Sequence, residues 1–102
     1  MKKLSVISMC AFLILTANGT AMADTGKTTY KQVCSSCHET GIDNTPKLED
    51  KLEWRLRMTK GMDALYTSVQ NGKCELLKDL RKDLSDDAIK AAVDYIVSQT
   101  KQ

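Results

Sequence analysis

The stretch Cys34-Ser35-Ser36-Cys37-His38 decides both the fold and the chemistry of this chain. It places two thiols three positions apart and follows them at once with an imidazole. His38 is the only histidine among the 102 residues. A zinc site built on several imidazoles is therefore excluded, and so is a proton relay between histidines. Any chemistry that the chain performs is concentrated on this pentapeptide.

The C-x-x-C-H spacing is the attachment signature for a c-type haem. Two thiols at this separation can each add to one vinyl group of a porphyrin, and the next imidazole is then held beneath the iron. The sequence predicts one haem c, bound covalently through thioethers at Cys34 and Cys37. His38 is the predicted proximal iron ligand.

Three other interpretations of the motif compete with haem attachment. A redox-active disulfide of the thioredoxin type needs a surrounding β-α-β pattern, and no segment alternates convincingly with period two. A zinc site needs a fourth ligand, for which Cys74 is the only plausible thiolate. The third alternative is a chance C-x-x-C of structural value only. Haem attachment is preferred because the only histidine directly follows the second cysteine.

The N-terminus has the features of a secretory signal. Lys2 and Lys3 precede an apolar stretch over residues 4–15, and Ala21-Met22-Ala23 supplies the small residues that a signal peptidase recognises. We predict a cleaved signal peptide over residues 1–23 and one domain over residues 24–102. The alternative is an uncleaved anchor, whose apolar core is short for a membrane span. Bacterial export to the periplasm is the predicted localisation, and no apolar run of spanning length follows the signal.

The composition limits what the exported domain can be. Removing 23 of the 102 residues leaves 79, and the loss of two lysines turns the net charge from +2 to zero. A neutral chain is not expected to bind nucleic acid. So few residues seldom form a stable core without a disulfide, a metal or a cofactor. Three cysteines remain, an odd number that internal disulfides cannot satisfy.

Helical periodicity accounts for most of the remaining sequence and predicts an all-α fold. Helical candidates cover residues 28–34, 53–58 and 62–71, and a loop rich in turn residues covers residues 40–51. Ser85 is a helix N-cap, which begins the last helix. The apolar stripe of that helix consists of Ile89, Val93, Ile96 and Val97.

Beyond the motif, the sequence resembles the class I c-type cytochromes, most closely the small bacterial cytochrome c₅ group. The resemblance is carried by Gly26-x-x-x-Tyr30-x-x-x-Cys34 and by Tyr95-Ile96-Val97. It implies the small class I fold, in which N- and C-terminal helices cross around one covalently bound haem and Gly26 permits the close crossing. It also implies a carrier of single electrons between redox protein partners rather than an enzyme.

The same resemblance assigns residues around the haem. Gly41-Ile42-x-Asn44-x-Pro46-Lys47-Leu48 is similar to the stretch that follows the motif in the family. It implies that the Pro46 carbonyl accepts the hydrogen bond of the proximal imidazole. Trp54-x-x-Arg57 is similar to the family positions near the haem propionates.

The family pattern breaks on the distal side. The segment Asn71-Gly72-Lys73-Cys74-Glu75-Leu76-Leu77 puts Leu76 where the family has its axial methionine, and no methionine follows Met62. The c₅ group's extra cysteine pair is also absent. We therefore predict a haem without the usual methionine sixth ligand.

Two alternatives remain open for the distal side. A five-coordinate iron would bind or sense a small ligand such as NO, CO or peroxide. Thiolate ligation by Cys74 would instead give a low-potential His/Cys cytochrome. Cys74 could equally be a small buried residue or form a disulfide dimer, so the sequence leaves the oligomeric state undetermined.

Overall fold

The computed structural model describes residues 24–72 and 75–101, which form helices and loops with no strand among them. The first helix, α1, is α-helical over residues 24–29, passes through a π-helical turn at Tyr30–Cys34 and ends in an α-helical turn at Ser35–His38. A 3₁₀ turn follows at Ile42–Asn44. The remaining helices are α2 (Lys51–Met58), α3 (Met62–Gln70), α4 (Glu75–Arg81) and α5 (Asp86–Thr100). The all-α prediction is confirmed.

None of the described helices is long and apolar enough to cross a membrane.

The π-helical turn directly precedes the C-x-x-C-H motif. The backbone N–H of Ser35 donates to the carbonyl of Tyr30, which gives the wider spacing of a π turn. The Ser35 hydroxyl donates to the Lys31 carbonyl at 2.8 Å, and the Ser36 hydroxyl donates to the Val33 carbonyl at 3.1 Å. π turns inside α-helices occur frequently at functional sites, and this one bears Cys34 at its end.

Helices α1 and α5 cross at Gly26, as the sequence predicts. A Cβ atom at Gly26 would lie 2.3 Å from the carbonyl oxygen of Ala91, so only glycine fits the crossing. Beside it the rings of Tyr30 and Tyr95 pack with centroids 5.4 Å apart. Tyr30 also belongs to the buried core together with Trp54 and Ile96. The crossing therefore forms one end of the core.

Helix α5 begins and packs as its sequence pattern predicts. The Ser85 hydroxyl accepts a hydrogen bond of 3.0 Å from the backbone N–H of Ala88, which satisfies one of the unpaired donors at the helix start. Asp86 and Asp87 lie in the first turn, where negative charge is favourable. The predicted apolar stripe is buried, and two alanines extend it: Ile89, Ala91, Ala92, Val93, Ile96 and Val97.

The loop between α1 and α2 folds back onto the end of α1. Asp43 and Asn44 both have positive φ, 54° and 63°, which turns the chain sharply. Thr45 is extended, as the residue before a proline prefers, and Pro46 is buried. The Asp50 carboxylate accepts from the backbone N–H of Lys47 at 2.9 Å and closes the loop before α2.

Helix α4 is a part of the fold that the sequence analysis did not predict. Charged residues dominate positions 78–83, yet Glu75–Arg81 is helical. Its half-buried side is formed by Leu77 and Leu80, and Leu84 continues this side after the helix. These leucines lie at positions i, i+3 and i+7, a helical spacing that the surrounding charges obscured.

Candidate functional site

The two cysteines and the histidine of the motif line one small apolar cavity. Cys34, Cys37 and His38 share this cavity of about 80 Å³ with apolar side chains of α3, α4 and α5. A second cavity of about 380 Å³ adjoins it and is lined by His38 and the residues of the Pro46 loop. The residues common to both cavities are His38, Val69, Leu77, Val93 and Ile96. We call the two together the crevice; its shared wall, His38 apart, is entirely apolar.

The Pro46 carbonyl fixes the orientation of the His38 imidazole. Nδ1 of His38 lies 2.7 Å from the carbonyl oxygen of Pro46. Because a carbonyl oxygen can only accept, Nδ1 carries the proton, and Nε2 of the neutral ring keeps its lone pair. A buried imidazole held in this way has the form in which histidine binds metals.

Burial also keeps the His38 ring neutral. Desolvation lowers the pKa of His38, the hydrogen bond to Pro46 acts in the opposite direction, and the nearby Arg57 guanidinium lowers the pKa further. The unperturbed value is about 6.5, so a lowered pKa leaves the ring unprotonated at neutral pH. The Nε2 lone pair is therefore available under these conditions.

The motif cysteines are half-buried and are not joined by a disulfide. Burial raises the pKa of Cys34 to about 11, and the neighbouring Cys37 contributes in the same direction. Redox-active C-x-x-C motifs instead contain a thiol whose pKa is lowered, because the thiolate is the reactive form. The environment of Cys34 is therefore unlike that of a thioredoxin-type active site.

Trp54 packs beside the His38 imidazole. Its side chain is 5% exposed, and its ring centroid lies 5.6 Å from that of His38. The indole Nε1–H donates to the Lys47 carbonyl at 2.8 Å, which ties α2 to the residue after Pro46. Trp54 thus supports the loop that holds the imidazole.

Arg57 lines the larger cavity together with His38, Pro46 and Trp54. Its Nε–H donates to the Glu53 carboxylate at 2.9 Å across one helical turn, and its side chain is 40% exposed. A pair this exposed contributes little to stability. The ion pair instead holds the Arg57 guanidinium in place at the edge of the crevice.

The structure distinguishes between the two adjacent leucines at the predicted distal position. Leu76 is 41% exposed and is not among the residues that line the crevice. Leu77 lines both cavities beside His38. The structure thus brings Leu77, and not Leu76, into the site with His38, Pro46 and Trp54.

Cys74, the thiolate candidate, lies outside the described residues. Within residues 24–72 and 75–101, no group of three or more His, Cys, Asp or Glu side chains is arranged to hold a metal ion.

Sequence reasoning missed several residues that line the small cavity. They are Leu77, Leu80 and Leu84, whose helical spacing was the available signal, and Arg81, for which the sequence carried none. Arg81 is half-buried and donates from Nη1 to the carbonyls of Val69 and Gly72, at 2.8 Å each. Nothing in a run of alternating charges shows that one member turns inward.

The donor set and the walls of the crevice fit a haem. Two thiols that can form thioethers and one imidazole with its Nε2 lone pair available meet at an apolar cavity. Aliphatic side chains from three helices surround these groups. A flat apolar macrocycle bound there would cover apolar surface that is otherwise in contact with water. The class of protein that this fold and this crevice define is a small all-α haem protein.

Comparison with known proteins leads to the same class. Residues 21–96 match the family described as cytochrome C oxidase, cbb3-type, subunit III. Cytochrome c-555 of Chlorobaculum tepidum is 35% identical over 97 residues, which cover 89% of this chain and 90% of the relative. Cytochrome c5 of Azotobacter vinelandii is 34% identical over 74 residues, 70% of this chain and 89% of the relative. No solved structure matches the chain significantly.

These matches, together with the fold and the motif, show that the chain belongs to the cytochrome c family, as a small class I c-type cytochrome. The family resemblance, the all-α class I fold and the covalently bound haem c predicted from the sequence are thereby confirmed. The chain is a monohaem, electron-carrying cytochrome, and it exchanges electrons with redox partners.

Proposed function

We propose that this chain is a periplasmic cytochrome that carries single electrons between redox proteins, with His38 as proximal ligand and without methionine as the sixth. The observation that supports the proposal best is the 2.7 Å contact between His38 Nδ1 and the Pro46 carbonyl. This contact orients the imidazole of His38, which lines the small cavity together with Cys34 and Cys37. No catalytic residue is proposed, because the role needs none beyond those that hold the haem.

Each residue of the site has a physical task in this role. Cys34 and Cys37 would form the thioethers, and His38 Nε2 would bind the iron. Pro46 and Trp54 keep the His38 imidazole from rotating. The iron site therefore rearranges less when the charge of the iron changes. When bound, the haem supplies a reversible one-electron change at its iron. The apolar wall excludes water from this centre.

Arg57 has a separate task at the crevice edge. The guanidinium lines the larger cavity and is partly exposed. Arginine pairs well with carboxylates, so Arg57 would interact with a haem propionate. This assignment agrees with the resemblance of Trp54-x-x-Arg57 to the family pattern.

The absence of methionine ligation is supported by the described wall of the crevice. The residues that line the two cavities include no methionine among positions 24–72 and 75–101. Leu77 and Val69 lie there instead, and an alkyl group cannot donate to iron. Cys74 stays a candidate ligand from the sequence alone.

The same alkyl wall favours a second candidate function, the binding of a small ligand. Among the described residues, Leu77 and Val69 line both cavities together with His38 and have no donor atom. An iron held by His38 would then be able to take NO, CO or peroxide. The response of the reduced protein to CO distinguishes the two functions. Rapid binding of CO by the reduced protein would favour ligand binding, whereas a six-coordinate spectrum that CO does not change would favour electron transfer.

Export is proposed on the sequence of residues 1–23, which lie outside the described residues. The proposed mature chain begins at Asp24 and has no net charge, so it creates no strong overall field to guide a partner. Docking would therefore depend on local contacts near the crevice. The same neutrality gives no support for binding to nucleic acid.

The proposal is tested on the full-length chain expressed in a bacterium that matures c-type cytochromes. The periplasmic protein should have the mass of the chain from Asp24 plus one haem, and acid-acetone should not extract the haem. It should also show a reversible one-electron couple. His38→Ala should fail to accumulate as stable holoprotein, whereas Ser36→Ala, two residues away and exposed, should accumulate normally. A mass equal to that of the bare chain would overturn the proposal.

A further inference from the structure

Arg81 is the last residue of α4, and its side chain turns back toward the end of α3. Its Nη1 donates to the carbonyl oxygens of Val69 and Gly72, both at 2.8 Å. The last carbonyls of a helix have no partner within the helix, and a guanidinium is well suited to satisfy them. One side chain therefore joins the end of α3 to the end of α4.

The surroundings of Arg81 are closely packed. A Cβ atom on Gly72 would lie 2.7 Å from Cδ2 of Leu77, 3.0 Å from the Ser68 carbonyl oxygen and 3.6 Å from Nη1 of Arg81. Leu77 and Arg81 both line the cavity that contains Cys34, Cys37 and His38. The position of the guanidinium is thus fixed by packing as well as by hydrogen bonds.

Arg81 differs in its partners from Arg57, which also lines the crevice. Arg57 is paired with the Glu53 carboxylate and is 40% exposed. Within the described residues Arg81 forms no ion pair, and its partners are two neutral carbonyls. Among the described residues, its hydrogen-bond partners are thus carbonyl dipoles, and it stands in a wall that is otherwise mainly aliphatic.

We propose that Arg81 raises the reduction potential of the haem, because it holds a fixed positive charge in the wall of the haem crevice. Reduction removes one positive charge from the iron, so a nearby cation favours the reduced form. The interaction is stronger in a wall of low dielectric than at the surface. This inference rests on the proposed redox function.

The chain supplies a matched control at the next position. Lys82 also carries one positive charge, but its side chain is 69% exposed and faces Asp79 at 3.6 Å. Arg81→Gln and Lys82→Gln each remove one charge, and only the first removes it from the crevice. Arg81→Lys retains the positive charge but loses the planar guanidinium that donates to the two carbonyls.

Equilibrium redox titration of the wild-type holoprotein and the three variants tests the proposal. We expect Arg81→Gln to lower the potential by more than Lys82→Gln does, and Arg81→Lys to stay closer to the wild type than Arg81→Gln. Raising the salt concentration should reduce the Lys82→Gln shift more than the Arg81→Gln shift, because exposed charges are screened more strongly. Equal shifts for Arg81→Gln and Lys82→Gln would overturn the proposal.

A measurement on the wild type covers the case in which Arg81→Gln yields no holoprotein. The guanidinium protons of Arg81 should exchange with solvent more slowly than those of exposed Arg55 when followed by NMR of the ¹⁵N-labelled protein. Equal exchange would show that the carbonyl contacts do not hold the cation, and would overturn the proposal. A wild type without a one-electron couple would instead overturn the proposed function. The redox couple therefore tests the function, and the proton exchange tests the role of Arg81.

Discussion

The Nδ1 atom of His38 lies 2.7 Å from the carbonyl oxygen of Pro46, eight residues further along the chain. The loop between them contains the two residues of positive φ, Asp43 and Asn44, which turn the chain back toward α1. The buried proline ring then fixes the backbone just where the carbonyl is needed. One hydrogen bond therefore connects the motif to the whole of this loop.

The first prediction follows from that contact. Pro46→Ala keeps a carbonyl at position 46 but frees the backbone, so we expect holoprotein that is less stable by about 0.4–1 kcal/mol. The reduction potential should shift modestly, since the imidazole is held less firmly. Urea unfolding and redox titration measure the two effects. An unchanged potential with an unchanged spectrum would argue against a role for Pro46 in orienting the ligand.

The second prediction concerns the crossing of α1 and α5. Gly→Ala in a helix normally stabilises it by up to about 1 kcal/mol. At Gly26 the added Cβ would meet the Ala91 carbonyl oxygen at 2.3 Å, so we expect the sign to reverse, with a loss of about 1–3 kcal/mol from overpacking. Thermal or urea unfolding of the holoprotein gives the value. Thr28→Ala, at an exposed position of the same helix, is the control and should change stability by less than about 0.5 kcal/mol.

The sequence specifies the neighbours of His38 more firmly than the register of α4, for a physical reason. Cys34, Cys37 and His38 are adjacent in the chain, so their geometry is local and follows from the motif. The Pro46 contact was available only through the family resemblance, because periodicity gives no sign of which loop carbonyl meets an imidazole. Which leucine lines the distal side of the crevice depends on the register of α4, because a shift of one residue would exchange Leu76 for Leu77.

Arg81 shows the limit of sequence patterns in the same helix. Four other charged residues surround it between positions 78 and 83, and all are exposed in the structure. Only the tertiary arrangement of α3 and α4 brings the Val69 carbonyl within reach of its guanidinium. Charge patterning alone therefore predicts a solvated surface throughout.

The third prediction concerns Tyr66, which links α3 to α5. Its hydroxyl donates to the Asp94 carboxylate at 2.5 Å, and Asp63 and Lys90 are the other charged groups near the ring. The hydrogen bond to Asp94 raises the pKa of Tyr66 to about 12, and desolvation contributes less. The folded state thus disfavours ionised Tyr66, so the stabilisation is present below about pH 10 and is lost as the pH rises through about 12.

NMR of protein labelled with ¹³C at tyrosine Cζ measures this titration directly. Asp94→Asn should lower the pKa of Tyr66 toward the usual value of about 10. Asp63→Asn is the matched control, because the charge of Asp63 is the smallest of the four causes and should produce a smaller change. A Tyr66 pKa that does not respond to Asp94→Asn would show that the contact between α3 and α5 is not maintained in solution.

The last prediction separates the two leucines on the distal side. Leu77 lines both cavities beside His38, whereas Leu76 is 41% exposed. Thioether ligation needs a sulfur that can approach the iron, and it raises the potential relative to a site without it. We therefore expect Leu77→Met to introduce the weak far-red band of methionine–sulfur ligation in the ferric spectrum and to raise the potential. Leu76→Met, one position away with the same change in composition, should leave both the spectrum and the potential unchanged. The opposite result, a far-red band in Leu76→Met alone, would place α4 one residue out of register and return Leu76 to the position that the family pattern gives it.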